Sequence, residues 1–429
     1  MSEDINLKVE HVTRVEGHGN IVFNMKENRV EEIRWEVPEA PRFFEAMVKG
    51  HSWKEVPLIV SRICGICSIG HTLTAIKAIE NAFDVQPSEQ TIMLRKLALH
   101  AENIQSHVLH VGYLVAPDLF GVGSVIPLAG SEHKETLLKI IRLHRLANNL
   151  SDLLAGRTTH PTSLVGGGFA AIPNYLALTN MTRDLEDALA LTKEVAAVVK
   201  DRAGALPDFS RETEYVALYK EGEYALYDGD IKSSDTGVNK DYRSIINEYV
   251  VPWSTAKYAK HARESYMVGA LARFNINSSF LSKEGRSVAD LFGLKAPCYN
   301  PFMNTIAQMA ELAHSLEDTL GIINGMRVLR NERPVEVKPA KAQAFGACEV
   351  PRGLLVHDYS FDEKGYCTKA NMVIPTNQNH ANIQKDMEAF APTLVGKSEK
   401  EIELALEMLV RAYDPCISCS THYVSVRFR

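Results

Sequence analysis

The sequence predicts an α+β fold that is mainly α, a central bundle of long helices with a small N-terminal β-sheet and peripheral short strands. Three observations carry that expectation. Apolar residues alternate near the start of the chain, they recur at helical spacing through most of the middle, and no Pro/Gly/Ser-rich linker, low-complexity tract or internal repeat divides the 429 residues. The expected organisation is a single domain, 1–429, with a β region at about 1–40, a helical core at about 68–330 and a C-terminal region at about 344–429.

Taken in order, Ile5-Asn6-Leu7-Lys8-Val9 alternates, Ile21-Val22-Phe23 is rich in β-formers, and Glu27-Asn28 makes a turn before Val30–Val37. The period then lengthens. Leu73, Ile76, Ile79 and Phe83 mark a helix beginning near Gly70-His71, and Leu94, Leu97, Ile104, Val108 and Val111 mark another after the cap-like Pro87-Ser88-Glu89. Thr136–Leu154 and Thr179–Val199 continue the helical pattern. Residues 205–252, rich in Tyr, Gly and Asp, read as an irregular or short-stranded insertion. Helical periodicity returns over Tyr258–Phe274 and Asn304–Leu329, whereas Ala344–Pro375 reads as loop and strand. Ser398-Glu399-Lys400-Glu401 is a capping box opening a helix with Ile402, Ala405, Leu406 and Leu409 on one stripe. That helix must stop near Asp414-Pro415, because proline disfavours the α conformation of the residue before it and has no N–H to donate.

Composition sets broad limits. With 45% hydrophobic residues, 23% charged and a formal net charge of -6, the chain is a globular, enzyme-sized protein for which nucleic acid is a poor partner. It contains no apolar run near the ~20 residues of a membrane span and no signal peptide, so a cytoplasmic location is expected. Seven cysteines in a chain of this kind argue against a disulfide framework.

Four of those cysteines form two Cys-x-x-Cys pairs at opposite ends of the chain, Cys64/Cys67 and Cys416/Cys419. A pair at i and i+3 brings both sulfurs to one side of a turn, so two pairs can supply four soft ligands to one metal site and exclude magnesium or calcium as its principal metal. Structural zinc is the plainer alternative, although its ligands usually gather within a few tens of residues. Cys298, Cys348 and Cys367 have no partner at ligand spacing and read as small apolar core residues. Three scattered cysteines cannot hold an iron-sulfur cluster, and no G-x-G-x-x-G follows a predicted strand.

The segments Arg62-Ile63-Cys64-Gly65-Ile66-Cys67-Ser68-Ile69-Gly70-His71 and Asp414-Pro415-Cys416-Ile417-Ser418-Cys419-Ser420-Thr421-His422 resemble the signature pair of nickel-iron hydrogenase large subunits. Four further segments stand in that family's order: Arg14-Val15-Glu16-Gly17-His18, Pro41-Arg42-Phe43-Phe44-Glu45, Val350-Pro351-Arg352-Gly353 and Val373-Ile374-Pro375-Thr376. The resemblance spans the whole chain and implies the large-subunit fold and reversible oxidation of dihydrogen. It implies a Ni-Fe centre with carbon monoxide and cyanide on the iron. Cys64 and Cys416 would be terminal nickel ligands, with Cys67 and Cys419 bridging the two metals.

The same resemblance assigns the surrounding residues. Glu16 would be the gate through which protons leave, Cys416 their first acceptor, Arg352 an arginine over the open metal position, Asp414 the carboxylate that orients it, and Pro351 part of the same canopy. Thr376 would donate its hydroxyl to a cyanide, and His71 would buttress a bridging cysteine. Glu45 and His422 would hold a magnesium-type ion near the C-terminus. Ser106 departs from the pattern, since many relatives carry a canopy aspartate there. Relatives are also usually cut after the histidine matching His422, which here would release Tyr423–Arg429. The implied partner is an iron-sulfur small subunit, with further NAD(P)/flavin or ferredoxin-linked electron-transfer subunits. Within the family the chain looks most like the cytoplasmic bidirectional NAD(P)-linked branch. A membrane-associated energy-converting hydrogenase, a complex I-like scaffold subunit and a hydrogen sensor are the alternatives, and four intact cysteines separate the scaffold from the rest.

Overall fold

In the computed structural model, which describes residues 4–421, the chain opens with an antiparallel sheet of β1 (Ile5–Val9), β2 (Asn20–Lys26) and β3 (Arg29–Glu36) in that order. Glu27 and Asn28 form its second turn with φ of 49° and 61°, the left-handed pair a tight hairpin needs. Ile21, Phe23 and Trp35 are fully buried on the inner face.

Seven longer helices follow before the C-terminal region: α1 (Ser68–Ala82), α2 (Glu89–Leu109), α3 (Lys134–Ala155), α4 (Tyr175–Arg202), α5 (Ala270–Asn277), α6 (Lys283–Phe292) and α7 (Asn304–Gly325). Ser88 caps α2 by accepting from the Thr91 amide at 3.1 Å, and Asn174 caps α4 by accepting from Ala177 at 2.9 Å. The helices differ in what they bury. α3 hides one stripe, Leu137, Ile140, Leu143, Leu150 and Leu154, as an outer helix should. α2 and α7 are buried almost all round, including their histidines, Glu102 and Glu311. Beyond α2 the chain makes a π-helical turn, His110–Val115.

The C-terminal region holds a second antiparallel sheet, β4 (Ala342–Val350), β5 (Gly353–Phe361) and β6 (Cys367–Val373), then α8 (Pro375–Phe390) and α9 (Glu399–Ala412). This sheet is neither short nor peripheral. β5 is buried along nearly its whole length, and β4 packs on α1, where a Cβ on Gly346 would lie 2.5 Å from the Ala78 amide nitrogen. The expected capping box at α9 forms, with the Ser398 amide donating to the Glu401 carboxylate at 2.9 Å.

Two expectations need correcting. Residues 258–274 are not one helix: Tyr258–Lys260 and Tyr266–Met267 are strands, and α5 starts only after Gly269 at φ 115°. Tyr258, Ala259, Tyr266, Met267 and Val268 are all buried, so burial there has no period and chance spacing imitates a helix. α7 ends at Gly325 rather than Leu329, where Met326 turns extended. The insertion at 205–252 is short-stranded as expected, with Glu214–Tyr219, Asp230–Ser233 and Gly237–Asn239 in one sheet. Cys348 and Cys367 are buried and Cys298 is half-buried.

Candidate metal centre

The first cysteine loop joins a short helix, Val56–Val60, to the N-terminus of α1. Its turn is closed locally by the Cys67 amide, 3.4 Å from the Cys64 sulfur. The second follows α9: Asp414 takes φ 50°, Pro415 forbids further helix, and Ile417–Ser420 forms a single turn bearing Cys419. Folding unites the two loops. Cys64 and Cys416 sulfurs are 3.6 Å apart, and Cys64, Cys416 and Cys419 offer three buried sulfurs within 4.8 Å of one another. Cys67 lies beside Cys64 but outside that group of three. Cys416 and Cys419 are joined as a disulfide, a bond within the second pair rather than a framework across the fold. Its reduction gives two thiolates, the form in which sulfur binds metal. Hydrogen bonding from Cys67, helped by the Arg352 charge, pushes the Cys64 thiol down to about 7, while the same shared bond and burial push Cys67 up. A buried set of soft sulfur donors fits nickel or iron far better than a hard cation.

Arg352 stands over these sulfurs at the β4–β5 hairpin tip. Its Nη1 is 3.4 Å from Cys67 Sγ, its Nε donates to the Asp414 carbonyl at 2.8 Å, and Nη2 pairs with the Asp414 carboxylate at 3.0 Å. Both side chains are buried. Asp414 also accepts from Gln308 at 3.0 Å, and Gln308 is paired with His110 of the π-helical turn at 2.5 Å. Pro351 lies in the same tip and is buried.

On the opposite side the Arg14–His18 segment lies along the second loop. The Glu16 carbonyl accepts from Ile417 at 2.9 Å, and its half-buried carboxylate accepts from Ser418 at 3.1 Å. Gly17 is required there. It has φ 86°, and a Cβ would lie 2.7 Å from both Ile417 and Ser418. Arg14, also at positive φ, pairs with Asp118 at 2.5 Å, and Asp118 in turn holds Arg411 of α9 at 2.8 Å. Thr376, in the first turn of α8, accepts from the Cys416 amide at 3.0 Å.

The remaining sequence-predicted residues are less central. The His71 amide donates to the Cys67 carbonyl at 3.0 Å, while its ring faces His357 at 3.1 Å. Glu45 is buried, accepts from the Met372 amide at 2.9 Å and lies 3.8 Å from Lys257. His422 and the tail Tyr423–Arg429 lie outside the described residues. Ser106 is fully buried.

Sequence reasoning missed Gln308, His110 and Glu102. Glu102, on α2, receives the Ile69 and Gly70 amides at 2.8 and 3.0 Å, thereby capping the start of α1 just after the first cysteine pair. Burial raises its carboxyl to about 8 against the pull of those amides. Gly70 permits the approach, since a Cβ there would meet the Val350 side chain at 2.2 Å and Glu102 at 2.8 Å. An acidic residue at a position flanked by Ala101 and Ile104 on a helical stripe was the available signal.

Two distant Cys-x-x-Cys loops closing into one buried sulfur cluster beneath an arginine define a thiolate metalloenzyme. Comparisons place it more closely. The profile described as nickel-dependent hydrogenase matches residues 42–137 and 250–422, and one described as HoxL-like matches 6–40. The alpha subunit of sulfhydrogenase 1 from Pyrococcus furiosus is 31% identical, over 97% of this chain and 98% of its own. The beta subunit of the NAD-reducing hydrogenase HoxS from Cupriavidus necator is 28% identical over 97% of this chain and 94% of its own. Among solved structures, a NAD+-reducing [NiFe]-hydrogenase in its H2-reduced state superposes with a TM-score of 0.84 at 25% identity, covering 97% of this chain and 99% of that one. The Ni-Fe-Se hydrogenase of D. vulgaris Hildenborough shares the fold, with a TM-score of 0.79 at 22% identity over 98% of this chain and all of that one. The chain belongs to the nickel-dependent hydrogenase family and is the catalytic large subunit of such an enzyme, with a cysteine cluster able to hold its Ni-Fe centre.

Proposed function

We propose that this chain cleaves and forms dihydrogen (H2 ⇌ 2H+ + 2e−) at a nickel-iron centre held by Cys64, Cys67, Cys416 and Cys419. The observation that carries the reading is the convergence of sulfurs from both ends of the chain in one buried cluster. When bound, the metals, with carbon monoxide and cyanide on the iron, supply the Lewis acidity and electron storage that heterolysis needs.

The chain's own residues manage charge and protons. Cys64 and Cys416 would ligate the nickel, and Cys67 and Cys419 would complete the set of thiolates that holds the two metals. The Cys416 thiolate accepts the first proton, and Glu16, bonded through its backbone and carboxylate to the same loop, carries it outward. Arg352 keeps a fixed positive charge beside Cys67, and Asp414 holds its orientation. Thr376 uses an oxygen lone pair on the Cys416 amide, leaving its O–H to donate to a cyanide nitrogen. Glu45 and His422 would supply ligands to a magnesium-type ion, as the family resemblance implies.

Electrons leave through a partner. Cys298, Cys348 and Cys367 are too dispersed to hold a cluster, so an iron-sulfur small subunit must receive them. The NAD-reducing relatives favour NAD(P) as the final acceptor, through additional subunits, over ferredoxin or an energy-converting membrane complex. No helix among the described residues is long and apolar enough to cross a membrane, which fits a cytoplasmic complex. Purifying the native complex tests the whole reading: nickel, iron in several-fold excess over it because the partner's clusters add to the one iron of the centre, infrared bands of carbon monoxide and cyanide, and hydrogen-dependent NAD(P) reduction are expected. Zinc alone, without those bands, would sink it.

A further inference from the structure

The hairpin that presents Arg352 is held from behind by a second buried arginine. Arg273, on α5, is fully buried and uses its guanidinium in two directions. Nε and Nη2 donate side-on to the two Glu311 oxygens of α7, each at 2.6 Å. Nη1 donates to Glu349 at 2.9 Å and to the Val350 carbonyl at 2.9 Å, while Nη2 reaches the Pro351 carbonyl at 2.9 Å. Successive carbonyls of a strand point to opposite edges, so strand pairing cannot turn both toward one partner. A planar fork of donors can collect both, whereas an ammonium cannot span the carboxylate and the two carbonyls together. Glu311 is itself fixed from its other side by His107 and Tyr224, each at 2.7 Å. The next residue after those two carbonyls is Arg352, whose guanidinium meets Cys67.

We propose that Arg273 is a positioning residue for Arg352: anchored on Glu311, it fixes the hairpin tip so that the Arg352 guanidinium stays over the metal-binding sulfurs. It touches none of those sulfurs itself. The inference rests on the placement of Arg352 proposed above, and its test separates the two.

The experiment compares Arg273→Lys, Arg352→Lys and the double variant in the nickel-loaded complex. Arg273→Lys should keep wild-type nickel content and subunit assembly while turnover per nickel falls about 10–100-fold, the usual cost of removing an outer partner of a metal site. The double variant should be no slower than Arg352→Lys alone, because the whole effect passes through Arg352. Amide hydrogen exchange over residues 350–356 should quicken in Arg273→Lys and stay at wild-type rate in Arg352→Lys. Wild-type turnover and exchange in Arg273→Lys, or losses that multiply in the double variant, overturn the proposal. Wild-type turnover in Arg352→Lys would instead remove the proposed role of Arg352, and the exchange measurement would still decide whether Arg273 fixes the tip. If Arg273→Lys fails to load nickel, Glu311→Gln enters the same cycle. Loss of nickel in both means that the network supports the fold at large, and the proposal falls.

Discussion

The two cysteine loops meet in one cluster but are held by different means. Cys64 and Cys67 run directly into α1, so their turn is set by the fifteen-residue helix they begin and by Glu102 on its unpaired amides. Cys416 and Cys419 come after α9 has stopped and end in a four-residue helix. Their backbone is satisfied from outside, by Thr376 at a separation of 40 residues and by Glu16 at 402. The first loop is therefore held by the helix it begins and by side chains near it in sequence, Arg42 at separations of 20 and 21 residues and Glu102 at 32 and 33. The second is borrowed structure, correct only when the N-terminal segment, α8 and the β4–β5 hairpin are already in place, which makes it the more sensitive to changes far away in sequence.

The largest test removes a donor from the borrowed loop. Cys419→Ser replaces a soft thiolate with a hard hydroxyl, so the dinuclear centre should not assemble and hydrogen oxidation should vanish; retained nickel, iron and activity would show that Cys419 is not a ligand. Next comes Glu16→Gln. The amide keeps an oxygen for the Ser418 N–H, so metal loading should be normal, but it cannot relay a proton. Exchange of label between deuterium gas and water should slow by roughly 10²–10⁴-fold, the range of general acid–base contributions. Wild-type exchange would place the start of the relay elsewhere.

Smaller changes sharpen the contrast. Asp414→Asn strands the buried Arg352 charge at the entrance of the second loop, and removal of one partner of such a pair costs about 3–5 kcal/mol. Thermal unfolding and turnover per nickel should both fall. Thr376→Val leaves the buried Cys416 N–H without its acceptor at about 1–3 kcal/mol, whereas Thr376→Ser should be near neutral. If valine and serine behave alike in unfolding and in turnover, Thr376 does not hold the loop.

How much of this was readable in the sequence follows the same division. Local devices were legible: the β1–β3 alternation, the Ser88 cap, the Ser398 capping box and the stop at Asp414-Pro415 all depend on neighbours within a few residues. The cysteines that gather at the centre, and the segments around them, were legible because six short segments match a known family. What lay hidden was the packing between segments. Nothing near Arg273 in sequence reveals that Glu311, Glu349 and the tip carbonyls converge on it. The polar residues of α2, among them Glu102 and His107, look like a solvated face until the start of α1 covers the first and α7 the second. The strands at 258–267 were misread for a related reason, since burial on both faces erases the period that distinguishes strand from helix.

The last test bears on the first loop, through pH. Glu102 has its carboxyl raised from 4.5 to about 8, chiefly by burial. Between those values the folded protein binds more protons than the unfolded chain, so its contribution to stability is fully present below about pH 4.5 and is lost as pH rises through about 8. Glu102→Gln stays neutral throughout while its side-chain oxygen still accepts from Ile69 and Gly70. Unfolding free energies of the two proteins should coincide at the acid end and diverge in favour of the variant as pH rises, by at most about 1.4 kcal/mol per pH unit. Turnover per nickel at mildly acid pH should be unchanged, since Glu102 supports the helix rather than the proton path. Parallel stability curves would mean that Glu102 is ionised in the folded state, and a fall in turnover would mean that the Glu102 charge does more for the first loop than cap its helix.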